Sequence, residues 1–189
     1  MTSALAIRTA LWLWLLAALL AGRLLWLQHL PPPAVQGILF ALTALVLLAW
    51  RRVPAVRAWI DALDLRRLVL LHTVRFVGFY FLFLYHRGEL PYDFAVPGGL
   101  GDIVVAALAL AVALVPCSDA RRRHAIAIWN VVGLVDILLV VFTAGRLGLA
   151  QPASLRALTH LPLSLLPTFV VPLIIASHVV IFVRLRRAP

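Results

Sequence analysis

The chain has 189 residues, of which 64% are hydrophobic and only 13% charged. A soluble globular domain is about half apolar and a quarter charged, so that class is excluded, together with disorder and collagen-like repeats. The net charge of +10 comes from 17 basic residues, all arginine, against 7 acidic ones. On so apolar a chain this charge reads as the cytoplasmic edge of a membrane protein, not as a nucleic-acid surface.

Six stretches approach the roughly 20 apolar residues, about 17 at minimum, that a membrane helix needs. The first runs from Ala4 to Leu27. It reads as a retained helix and not as a signal peptide, because no clean cleavage site follows and apolar residues resume after Arg23. The second runs from Ala34 to Trp50, started by Pro31, Pro32 and Pro33. Residues 54–64 then place Val56, Trp59, Ile60 and Leu63 at helical spacing, with Arg57, Asp61 and Asp64 opposite. That pattern predicts a short interfacial helix among anionic headgroups.

The third span covers Leu68 to Tyr85, and the fourth Gly99 to Val115, ended by Pro116. In the fourth, Ala107/Ala111 and Ala109/Ala113 allow close helix contact. The fifth covers Ala125 to Gly145. A second interfacial piece is expected over 154–161. The sixth span runs from Leu163 to Val183; Pro162, Pro167 and Pro172 recur at five-residue intervals and free carbonyls that neighbours must satisfy. Several spans are near the minimum length, which argues against large tilts.

Counted on alternate sides, twelve arginines fall on one side and four on the other, with Arg75 alone inside a span. The expected fold is therefore a single all-α transmembrane domain over 1–189, a six-helix bundle with both termini cytoplasmic in a bacterial inner membrane. The lone Cys117 excludes an intrachain disulfide and a cysteine metal cluster.

Ionisable groups within the spans are costly there and are the functional candidates. They are His72 and Arg75 in the third span, Asp102 in the fourth, Asp136 (with the polar Asn130) in the fifth and His178 in the sixth. By depth, Arg75 can reach Asp136 as an ion pair. That pair either fixes helix packing or forms the polar core of a proton or ion path. Asp102 follows Gly98, Gly99 and Gly101, where it can cap a helix N-terminus. Alternatively it joins an outer acidic cluster with Glu89 and Asp93, beside His86 and Arg87.

His72 and His86 stand 14 residues apart on one helix. They return to nearly the same face, about 21 Å apart along the axis. This arrangement resembles that of di-haem b-type cytochromes, a resemblance confined to those two residues. It implies haem b as cofactor, with His72 and His178 as axial ligands at matching depth and His86 serving a second, outer haem whose other ligand would have to be the loop residue His160. The sequence thus leaves three readings: a b-type haem or redox protein; a small proton- or ion-coupled transporter or channel using Arg75, Asp136 and Asp102; and a non-catalytic membrane subunit. The lipid bilayer is the expected partner, with a homo-oligomer or membrane complex possible and nucleic acid excluded. No hydrolase elbow, metalloprotease or phosphate-loop motif occurs.

Overall fold

The computed structural model describes residues 3–187, all of it helix, turn or loop, with no strand among the described residues. The elements are α1 (Ser3–Arg23), a 3-10 turn (Trp26–His29), α2 (Pro32–Arg52), α3 (Pro54–Asp61), α4 (Leu65–His86), α5 (Tyr92–Leu114), α6 (Asp119–Ala150), a 3-10 turn (Pro152–Thr159) and α7 (Leu166–Arg187). Six of these seven α-helices, all but α3, are long and apolar enough to cross a membrane. Trp12, Leu45, Phe79, Val104 and Phe142 are among many large apolar side chains that lie exposed on the outer surface. Lipid solvates such a surface and water does not.

The first helix ends at Arg23, before the expected Leu27, with Leu25 left-handed at φ 54°, and two further spans differ more from the sequence expectation. Helix α5 starts at Tyr92, after Pro91, and not at Gly99. The glycines read as a helix start are interior positions, and packing offsets their poor helix propensity. Asp102 therefore lies about three turns inside α5 and caps nothing. Helix α6 has 32 residues, extended at its start by the Ser118 side chain, which accepts from the Arg121 N–H, and by Asp119 in the first turn. Its length of about 48 Å exceeds a bilayer core of about 30 Å, so it tilts or protrudes.

Helix α5 is central, packed between α4 and α6, while α7 lies against α2 and α6. Helix α1 is peripheral, with only Ala18 and Gly22 buried. One contact from α1 satisfies the carbonyl freed by the last of the three prolines, Pro172. The Thr168 C=O would accept from the N–H four residues on, but that residue is Pro172. The Trp14 indole N–H supplies the missing donor at 2.8 Å, its ring edge-on to Phe169. Trp14→Phe keeps the ring and removes the donor. It should cost about 1–2 kcal/mol, read as a small drop in the melting temperature of the detergent-solubilised protein.

The arginine-rich ends meet at one end of the bundle. Arg184 donates to Leu63 O at 2.7 Å, Arg123 to Leu185 O at 3.0 Å, and Arg187 lies over the Trp50 ring. Helix α3 stops at Asp61, before the expected 64, because the Asp64 carboxylate caps the start of α4 by accepting from Arg66 N–H. Arg122 plays a role that its place in a basic run hides. It is buried, and its guanidinium donates to Val112 O, Ala113 O and Val115 O at 2.8–3.1 Å. These are the orphan carbonyls at the end of α5. Arg122→Met should cost about 2–4 kcal/mol, and Arg121→Met, which is exposed, close to nothing; melting of the two variants side by side checks this.

Candidate functional site: a buried arginine between two carboxylates

The site begins with a change of helical pitch. Residues Leu71–Val77 of α4 form a 3-10 segment. At three residues per turn, positions 72, 75 and 78 stack on one line. That line faces the bundle interior: His72 is 0% exposed, Arg75 2%, and Gly78 is buried. Gly78 admits α5, since a Cβ there would collide with Gly99 O, and one at Gly99 would lie 2.8 Å from Gly78 O. With the backbones this close, Arg75 reaches across α5.

Each of its three guanidinium nitrogens donates a hydrogen bond. Nε donates to Asp102 Oδ1 at 2.6 Å, Nη1 to Gly133 O at 2.9 Å, and Nη2 to Asp136 Oδ2. Arg75 thus pairs with Asp136 and also with Asp102, which the sequence reading had placed at a helix end. Asp102 is 3% exposed, while the Asp136 side chain is 20% exposed. Gly101 makes room for Asp136, because a Cβ there would strike its carboxylate. The outer acidic cluster does not include Asp102: Glu89 pairs with Arg87 at 2.5 Å and Asp93 with Arg146 at 3.7 Å.

Gly133 links this centre to the histidines. A Cβ on it would lie 2.8 Å from His178 Cε1. The His72 and His178 rings touch, centroids 4.3 Å apart, with Trp129 edge-on to His72 at 4.8 Å. The hydrogen bonds fix both tautomers. Ser177 Oγ donates to Ile174 O, so it must accept from His72 Nε2 at 2.9 Å. Asn130 Nδ2 donates to His178 O, so Asn130 Oδ1 accepts from His178 Nδ1 at 2.8 Å. His72 Nδ1 and His178 Nε2 are left as bare, buried nitrogens without partners.

Two imidazoles on one iron hold their centroids about 6 Å apart, given metal–nitrogen bonds of about 2 Å. At 4.3 Å the pair leaves no room for a metal between the rings unless they part. His86 is exposed at the far end of α4 beside Tyr85, and His160 bonds Gln28 at 2.9 Å, so these two are not brought together. No group of three or more His, Cys, Asp or Glu fit to hold a metal ion occurs among the described residues.

A cavity of about 460 Å³ reaches the centre from the end opposite the arginine-rich one. Arg75 and Asp102 lie on its floor, Leu39, Phe81, Phe94, Ile137, Val141 and Ile174 form walls, and Gln28, Arg156 and Thr159 mark the rim. On the other side of the centre the bundle is closed by Trp50, Leu68, Val69, Trp129, Val180 and Ile181.

No curated protein and no solved structure matches the chain significantly. The matched family segment covers residues 32–186, leaving α1 outside it; the chain belongs to the family described as Domain of unknown function (DUF8737).

Proposed function

We propose that this is a multi-pass membrane carrier whose coupling centre is Arg75, Asp102 and Asp136. One guanidinium faces two carboxylates, and a surplus negative charge in an apolar bundle is expensive. A proton or another cation relieves that cost, so the centre can alternate between loaded and unloaded forms. The observation that carries the reading is that Arg75 and Asp102 of this charge-unbalanced centre line a cavity of about 460 Å³, while an apolar core packs the bundle on the centre's other side. A cavity on one side of the centre and close packing on the other is what a carrier facing one side requires.

The arginine bias puts the closed end, both termini and α3 on the cytoplasmic side of a bacterial inner membrane, with α3 in the headgroup layer. Proton flux into liposomes holding the purified chain tests the function. Flux driven by an imposed proton gradient, and strongly reduced in Asp102→Asn and Asp136→Asn, supports it. Flux unchanged in both variants overturns the assignment.

A second reading keeps haem b between His72 and His178, favoured by the bare nitrogen on each ring. It requires the rings to part. A Soret band after haem-replete expression, lost in His178→Ala, would establish it; a colourless protein removes it.

A further inference from the structure

Building on the carrier reading, we propose that the cavity above the Arg75 centre takes a lipophilic organic cation, its apolar groups against Phe81, Phe94, Ile137 and Val141 and its charge over Asp102. Arg75 pairs with both Asp102 and Asp136, so the ionised centre carries one negative charge too many. Arg75 donates to Asp102 Oδ1, Gly133 O and Asp136, and no hydrogen bond reaches Asp102 Oδ2 among the described residues. A cation arriving on the cavity floor meets a carboxylate oxygen still free to receive it.

The walls then decide which cation. A hard inorganic ion wants about six oxygen ligands in place of its water. The floor offers one carboxylate, and the walls are aliphatic and aromatic. An organic cation brings its own apolar covering, and a cavity of about 460 Å³ is in the range that holds a small organic molecule. The rings of Phe81 and Phe94, with centroids 5.2 Å apart, add aromatic surface to which cations are attracted. An anion would add to the surplus, and a neutral molecule would leave it. The rim residue Arg156 is exposed to solvent, where its repulsion is screened.

Two probes of one shape and opposite charge, tetraphenylphosphonium and tetraphenylborate, test this by equilibrium dialysis against the full chain in detergent micelles, with empty micelles subtracted. The expected result is saturable phosphonium binding, at least about tenfold tighter than borate. Asp102→Asn should weaken it at least about tenfold. Because that variant can fail to fold, Ala144→Phe serves as the second arm: Ala144 lines the cavity away from the charged centre, and a ring there fills the space. Phosphonium binding must then fall in Ala144→Phe. Borate binding as tightly as phosphonium, phosphonium no better than empty micelles, or unchanged binding in Ala144→Phe overturns the proposal. Aspartate-dependent proton flux without phosphonium binding defeats this inference alone, whereas flux unchanged in both aspartate variants, or no flux in the unsubstituted protein, defeats the carrier reading beneath it.

Discussion

Arg75→Met will destabilise the protein by about 3–5 kcal/mol, the cost of stripping one partner from a buried ion pair. Asp102 and Asp136 would then face each other across an apolar interior with no cation between them. Asp136→Asn should cost far less, because it leaves one carboxylate for one guanidinium. The decisive variant combines Arg75→Met with Asp102→Asn and Asp136→Asn. It carries no charge at the centre and should recover most of the lost stability, since an uncharged replacement avoids the desolvation cost. Thermal unfolding in detergent reads all three. An Arg75→Met protein as stable as the parent would mean that the pairs are not ionised.

Gly78→Val will have an effect of similar size, about 3 kcal/mol or more. The new Cβ collides with Gly99 O and sits 3.1 Å from Asp102 Cβ. A backbone carbonyl cannot rotate away, so α4 and α5 must separate, and overpacking of this kind destabilises. Separation also pulls Arg75 off Asp102, so the variant should lose stability and flux together. Gly37 is the control: a Cβ there meets nothing within 4 Å, and Gly37→Ala should gain about 0.5–1 kcal/mol from helix propensity.

These two positions also show what the sequence could and could not say. Arg75 and Asp136 stood out because a charge within an apolar run has few alternatives to a partner at its own depth. Asp102 was misplaced because a glycine run signals a helix boundary when read locally. Here the glycines serve the approach of a neighbouring helix, a fact held in three dimensions only. The matching depths of His72 and His178 followed from counting residues. Their ring contact and fixed tautomers did not, because they depend on Ser177 and Asn130 at hydrogen-bond resolution.

Arg122 looked like one more boundary charge. A signal was present, since Pro116 ends α5 soon before it and leaves carbonyls wanting donors. The partnership of Trp14 with Thr168 spans 154 residues and has no local trace. The cavity likewise depends on six separate stretches of chain meeting, which no periodicity records.

A carrier of this design has a centre that gains and loses a positive charge. Infrared difference spectroscopy on acidifying the purified protein looks at that event directly, through the carbonyl band of a protonated carboxylic acid. The expected result is a band for one buried acid per chain, appearing over the pH range in which flux changes and absent from the Asp102→Asn, Asp136→Asn double variant. Both aspartates remaining ionised throughout that range, with no such band, would contradict it.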